Sequence, residues 1–394
     1  MLISGCLGKP KPKKGDFNGK VIDYYTKEPV PGVAVIINGN HEITDNSGKF
    51  SIRVLKPGEY NISMARDWYY PTTQSFKHVG RTDLWTFEIK SEPLNGKILY
   101  SGDRDKNWEI YELNLMDRHA IRLTYLSNSS ETNPVKKDTN TIIFQSDSKG
   151  NNDLYSCDFG TIHTLPSSIT CCNFNYNDEH PSVDYFGTKL VFKSGVINNG
   201  GEQKVIRLYN FKESVDIMEG TQYITGFNPV INSDGTKIAL VSGDYKKLLI
   251  YDVEDNASGI SITFSKKFDF FTNQQFKINN PCWHPEFNLI ALEAYQDSEG
   301  VRLIYLVNAD SDTTPTLQPI TYNKRFNEQH HHPCWSSKGG LLFFSGNIVY
   351  SSREDIYCIK YDNSDGIFET VKNNTSWLMV SSGSGDKKYP SWSE

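Results

Sequence analysis

The sequence predicts an all-β protein, a small N-terminal β-sandwich followed by a six-bladed β-propeller that the C-terminal strand closes. Three observations predict it. Tyr and Phe are abundant (22 and 21 of 394 residues), turn formers punctuate the chain throughout, and no long apolar segment of helical period occurs. A three-part strand pattern recurs from Gly96 onward. The chain then stops on Tyr-Pro-Ser-Trp-Ser-Glu, residues 389–394, which is the first part of that pattern with nothing after it.

Taken in order, residues 1–15 read as a lipobox-like start followed by a Lys/Pro linker. Ile3-Ser4-Gly5-Cys6 resembles the lipobox of bacterial-type lipoproteins, which implies acylation of Cys6, although only five residues precede it where a signal peptide carries a longer apolar stretch. The Pro- and Lys-rich stretch 7–15 suits a stiff tether between an anchor and a folded body. No acidic residue follows Cys6 in this linker, so nothing favours surface display over a periplasm-facing position. No run reaches the ~18 apolar residues of a membrane-spanning helix. The net charge of −6 and the scattered basic residues exclude nucleic acid as an expected partner. The seven cysteines show no zinc-type C-x-x-C pair and specify no particular bridge.

Residues 16–91 read as short strands broken by tight turns at Pro29 to Gly32, Asp45 to Gly48 and Lys56 to Gly58. Phe50 and Ile52 share one face, as do Tyr60 and Ile62, which gives a small antiparallel sandwich. Gly19/Val21/Asp23, Pro29-Val30-Pro31-Gly32-Val33, Thr44-Asp45-Asn46-Ser47-Gly48-Lys49-Phe50 and Leu55-Lys56-Pro57-Gly58-Glu59-Tyr60 resemble the carboxypeptidase regulatory-like domain, a transthyretin-like sandwich. That resemblance implies a non-catalytic module. Asp45 before Gly48 is expected to form a turn and not to bind calcium.

Residues 92–394 carry the repeat. Apolar strands such as Thr141-Ile-Ile-Phe and Lys237-Ile-Ala-Leu are each followed by an Ile/Leu-Tyr pair: Ile110-Tyr111, Leu154-Tyr155, Leu208-Tyr209, Ile250-Tyr251, Ile304-Tyr305 and Ile356-Tyr357. An X-Pro dipeptide marks a further strand at Asn133, His180, Asn228, Asn280, His332 and Tyr389. With a variable fourth segment this makes four strands per unit, the pattern of propeller blades. Pro229-Val-Ile-Asn-Ser-Asp-Gly235 and Pro333-Cys-Trp-Ser-Ser-Lys-Gly339 resemble the TolB-type, WD40-like (PD40) repeat. The first apolar strand lacks an X-Pro strand before it, and the last X-Pro strand has no blade after it. Each therefore completes the other, with the innermost strand of the first blade supplied by the C-terminus.

The expected binding site is the channel mouth. Asn133, His180, Asn228, Asn280, His330, His332 and Tyr389 are placed there, ringed by loops carrying Asp103, Asp105, Asp147, Asp153, Asp244 and Asp297. The same X residues could equally serve only to bond neighbouring blades. Gln329-His330-His331-His332 is the one local run that resembles a metal site, and its weak candidate ligands are His180, His330 and His332. No G-x-S-x-G elbow or sialidase box occurs, so no catalytic residue and no cofactor is expected. The expected function is that of a non-catalytic, lipid-anchored cell-envelope protein. Its propeller would bind an envelope protein, peptide or glycan, in the manner the TolB resemblance implies. The alternative is a metal-assisted polysaccharide-degrading lyase or hydrolase on the same scaffold.

Overall fold

The structure, a computed structural model, describes residues 16–393 apart from 54, 81–83, 127, 160–166, 170–176, 199–200, 212–213, 217, 220–221, 258, 297–299, 323–327, 351 and 362–376. Cys6 and Asp297 lie outside the described residues. The backbone forms two compact units, Met1–Pro93 and Leu94–Glu394.

The first unit is a sandwich. One sheet orders Lys49–Ile52, Phe17–Asp23 and Leu84–Ile89, and the other orders Asn40–Ile43, Ala34–Ile37, Gly58–Ala65 and Thr72–His78. Alternation along Phe17–Asp23 buries Phe17, Gly19, Val21 and Asp23. Phe17 meets Phe50, Phe76 and Phe87 at ring distances of 6.1, 5.0 and 6.4 Å. Gly19 is required because the Phe50 ring lies over it, and a Cβ would come within 2.2 Å of that ring. Asp23 accepts backbone N–H groups of Tyr25 and Thr26 at 2.8 and 2.7 Å. Asp45 does the same for Ser47 and Lys49, both at 2.9 Å, so it is the turn former its position predicts.

The second unit is a propeller of six four-stranded sheets. From the axis outward, the second blade runs Glu131–Lys136, Thr141–Ser146, Asp153–Asp158 and Ser167–Ser168. We label such strands A to D. The A strands of the other blades are Glu179–Val183, Gly226–Ile231, Lys277–Trp283 and His330–Trp335, and for the first blade the C-terminal strand Lys387–Trp392. That last strand pairs antiparallel with Lys97–Gly102, and the ring closes as the sequence predicts. Neighbouring blades bury apolar faces against each other. Leu99 and Ile110 of the first blade share a cluster with Ile142, Phe144 and Tyr155 of the second. Ile206 and Leu208 of the third share one with Ile238 and Leu240 of the fourth. Each such large side chain contributes about 1.5–3 kcal/mol when fully buried, so no blade is stable alone.

The blades are less uniform than the recurring pairs suggest. The Ile/Leu-Tyr pairs do not share one register. Tyr111, Tyr155, Tyr305 and Tyr357 lie opposite Tyr100, Phe144, Leu292 and Phe344 on strand B. In the third and fourth blades the equivalent residues, opposite Phe192 and Leu240, are Arg207 and Leu249. Leu208-Tyr209 and Ile250-Tyr251 are displaced by two residues along their strands. Side chains alternate with period two, so a two-residue shift keeps the same face buried and leaves no trace in the apolar pattern.

Candidate functional site

All six X-Pro dipeptides sit in the interior of A strands, and each marks a β-bulge. The A-to-B register breaks between Thr132 and Val135, Glu179 and Ser182, Phe227 and Val230, Asn279 and Cys282, His331 and Cys334, and Lys388 and Ser391. The X residue takes a left-handed backbone every time, with φ of 52° at Asn133, 57° at His180, 48° at Asn228, 42° at Asn280, 52° at His332 and 55° at Tyr389. Asn and His tolerate that region best among residues with a Cβ, and proline fits a bulge because no ladder partner awaits its missing N–H. Backbone geometry therefore selects Asn and His here before any ligand does. Tyr389 is the exception, a bulky side chain in a conformation that costs it energy.

The bulges bring the six X residues to the floor of one cavity of about 610 Å³. Its walls are the six prolines together with Trp283, Trp335 and Trp392, and its rim includes Lys136, Asp184, Tyr185 and Phe186. The lining runs from the X residues toward the A–B turns, and none of the residues preceding X belongs to it. This corrects the expected mouth. The acidic loops lie between strands B and C at the opposite end of the blades, where they serve the fold. Asp105 accepts the Tyr111 hydroxyl at 2.7 Å, Asp147 the Ser130 N–H at 2.7 Å, and Asp103 the Asp386 N–H at 2.6 Å. Asp153 accepts the Asn151 amide and Asp244 the Ser242 hydroxyl.

His330 is a second correction. It is buried two residues before the bulge, its ring 5.0 Å from Phe344, with neither nitrogen hydrogen-bonded. It does not line the cavity. His180 and His332 do line it, so the three candidate ligands are not brought to one place. Among the described residues no three His, Cys, Asp or Glu side chains are grouped to hold a metal ion.

Beneath the floor lies a network that joins blades. Glu293, fully buried on strand B of the fifth blade, accepts the Asn280 amide from its own blade and the His332 backbone N–H from the next, the latter at 2.8 Å. His331 Nδ1 lies 3.4 Å and Arg302 3.7 Å from its other oxygen. Burial alone would push the Glu293 carboxyl up, but the His331 hydrogen bond and charge, the His332 ring and the Asn280 amide outweigh it and bring it to about 2. Asn228 donates to the side-chain oxygens of Asn279, at 2.6 Å, and of Asn280. In the second blade Gln145 takes the place of Glu293, accepting the Asn133 amide at 3.1 Å and the His180 N–H at 3.4 Å. His332 Nδ1 shares a hydrogen bond with Ser345 at 2.9 Å, and its ring lies 4.1 Å from that of Tyr389.

Burial sets the charge of the floor histidines. It lowers His180 to about 4, with the Lys193 cation adding to the effect, and His332 to about 3. Both rings are neutral in the folded protein at pH 7. Unfolded, they titrate near 6.5, so the unfolded chain binds more protons below that pH and stability falls as pH drops from about 6.5 toward 3. Each histidine is expected to cost about 2.5 kcal/mol by pH 4.5. His332→Asn tests this, since Asn holds the same backbone conformation at Asn133, Asn228 and Asn280. Urea midpoints at pH 7 and 4.5 should show a shallower acid loss in the variant; an unchanged loss would refute the assignment.

The sequence reading missed the cavity walls and rim. Trp283, Trp335 and Trp392 each stand two residues after the proline, and that repeated spacing was the available signal. Tyr185 and Phe186 had no such signal. They are 70% and 68% exposed.

Against known proteins, the model of the carboxypeptidase regulatory-like domain family matches residues 16–88. No curated protein matches the chain. Among solved structures, TolB from Acinetobacter baumannii aligns with a TM-score of 0.54 at 13% identity, covering 86% of this chain and 80% of that one. An oligogalacturonate lyase in complex with manganese aligns at 0.46 and 15% identity, covering 73% and 74%. A puromycin-hydrolyzing peptidase of Mycobacterium tuberculosis aligns at 0.42 and 11% identity, covering 78% of this chain and 44% of that one. Of these three, the likeness to TolB is the one strong enough to speak for the fold, and it is silent on chemistry. Residues 16–88 are thus a carboxypeptidase regulatory-like domain, and the propeller that follows them has the TolB-type fold.

Proposed function

We propose that this chain is a non-catalytic cell-envelope lipoprotein whose propeller holds a protein, peptide or glycan in the channel cavity. The observation that carries the reading is the cavity itself. Six repeated bulges deliver a polar floor and apolar walls to one cup of about 610 Å³, within the range of ligand pockets. The floor offers hydrogen-bonding groups, and among the described residues no three His, Cys, Asp or Glu side chains are grouped beside them to hold a metal ion. The metal-assisted reading loses support because His330 is walled off from His180 and His332. The envelope assignment rests on Ile3-Ser4-Gly5-Cys6 and the Lys/Pro tether behind it. Among the described residues no helix is long and apolar enough to cross a membrane.

Two variants, with one control, test the two halves of the proposal. Cys6→Ala is expected to move the protein from the membrane fraction to the soluble fraction and to abolish incorporation of a labelled fatty acid; unchanged fractionation removes the anchor. Envelope extract passed over immobilised protein should leave a partner on the native chain, and on a Tyr24→Ala control in the sandwich, that Trp283→Ala with Phe186→Ala no longer retains. Equal retention by all three would move the binding site away from the cavity.

A further inference from the structure

Three features of the cavity narrow what it takes. The first is the unused polar chemistry of its floor. The His180 ring makes no hydrogen bond among the described residues, and its Nδ1 is sealed from solvent as well. The Tyr389 hydroxyl has no hydrogen-bond partner among the described residues either, although Asn would have held that bulge without strain. A bulky residue kept in a costly conformation, with its polar end unbonded, is a break in local rules of the sort found at binding sites.

The second feature is charge. Both floor histidines are neutral, and the carboxylates beneath are engaged, Glu293 as described and Glu179 with Lys193 and the Asn152 amide. The rim charges are engaged too. Lys136 donates to the Ser393 carbonyl at 2.5 Å, and Asp184 accepts from Thr188 and Lys189. Lys137 and Asp138, also in the lining, lie 3.9 Å from each other. Among the described residues a ligand on this floor therefore meets neutral donors and acceptors and no unpaired charge, so a charged head group would be desolvated without compensation.

The third feature is the rim. Tyr185 and Phe186 occupy the tip of the third blade's A–B turn, where the fourth blade carries Ser233-Asp234 and the sixth Ser337-Lys338. The two rings pack edge to face at 5.5 Å and remain exposed beside the cavity. The turn itself needs neither of them: the polar pairs of the other blades turn the chain equally well.

We propose that the cavity seats the end of a neutral oligosaccharide, with terminal hydroxyls on His180, His332 and Tyr389 and a following sugar ring against Tyr185 and Phe186. The inference rests on the cavity being the binding site. Hydroxyls both donate and accept, which matches neutral imidazoles and a phenol, and the C–H faces of a sugar suit proline and tryptophan walls. A peptide entering end-on would bring a charged terminus to a floor that cannot neutralise it. A glycan chain ends in hydroxyls.

The test titrates the full chain with cellohexaose, xylohexaose, mannohexaose and maltohexaose, with hexagalacturonate and an unblocked hexapeptide pool as charged comparators. Tryptophan fluorescence and calorimetry report binding. At least one neutral hexaose is expected to bind. Tyr185→Ala with Phe186→Ala should weaken it about tenfold, and Tyr389→Phe or His180→Asn by about five- to tenfold, with melting temperatures of the rim variant unchanged. Absence of binding by all four neutral hexaoses at millimolar concentration overturns the proposal, as does neutral binding that ignores every variant. If only a charged comparator binds and the variants abolish it, the glycan assignment fails while the cavity stands. If comparator binding also ignores the variants, the cavity reading fails with it.

Discussion

Deletion of residues 389–394 will lower the melting temperature of the propeller by at least about 10 °C, because it opens the ring at its only C-terminal closure. The terminal strand ties three blades together. Its ladder to the first blade pairs Ser391 with Leu99 and Trp392 with Ile98. Against the sixth blade, Trp392 packs 5.9 Å from Phe343 and its N–H reaches the Cys334 sulfur at 3.2 Å. To the second blade, the Ser393 carbonyl accepts Lys136. Gly96 is shaped for this closure: with φ of 104° it lets the Trp392 ring lie where a Cβ would come within 2.2 Å. Trp392 is half-buried, so removing it alone costs up to about 3 kcal/mol, and the deletion also strips the inner edge of the first blade of its partner. Calorimetry should show one cooperative propeller transition moved down as a whole. Should the truncated chain fail to fold in isolation, a synthetic peptide of residues 387–394 added in trans is expected to restore the native transition, and Trp392→Ala to reproduce part of the loss. An unchanged melting temperature in the truncated chain would disprove the closure.

That closure was legible because the repeat made it so. A lone Tyr-Pro-Ser-Trp means little, but five other X-Pro strands give it a place, and the missing inner strand before Lys97 gives it a partner. The blade count followed from the same bookkeeping. What failed to show in the sequence was the third dimension of each strand. Nothing in Asn133-Pro134 or His332-Pro333 tells which end of a bulged inner strand opens to solvent, so the acidic B–C loops were assigned to the wrong end of the channel. In the third and fourth blades a two-residue displacement hid behind an intact apolar pattern. The hub was hidden for another reason. Its strand B position is filled by Ser101, Gln145, Lys193, Val241, Glu293 and Ser345, which have no chemistry common to all six, so only coordinates reveal that Glu293 and Gln145 do the same job. Local rules also failed at Tyr389, Tyr185 and Phe186, which break the repeat and surround the cavity.

Glu293→Ala will destabilise the propeller by about 3–5 kcal/mol at pH 7, the cost of removing one partner from a buried charged network. The substitution leaves the Asn280 amide, the His332 N–H and the His331 ring without their acceptor in a place that water reaches poorly. Glu293→Gln separates charge from hydrogen bonding. Gln145 already fills the equivalent position and accepts the neighbouring blade's His180 N–H, so an amide fits there and should cost only about 1–2 kcal/mol. The pH dependence follows from the carboxyl being held at about 2 in the folded chain against about 4.5 unfolded. A depressed carboxyl contributes stability that is fully present above the unfolded value and is lost as pH falls toward the folded one. The gap between the native chain and Glu293→Ala in urea midpoints should therefore widen as pH falls from 7 to 5, where His331, whose charged form Glu293 favours, takes up its proton, and shrink below about 4.5. Because Glu293 fixes both His332 and Asn280, the alanine variant should also loosen the cavity floor, whereas the glutamine variant should keep it. A gap that persists unchanged to pH 3, or an alanine variant as stable as the native chain, would remove Glu293 from the role of hub and leave the alignment of the fifth and sixth blades to their apolar contacts and to the hydrogen bonds of Arg302 with Gln329 and His330.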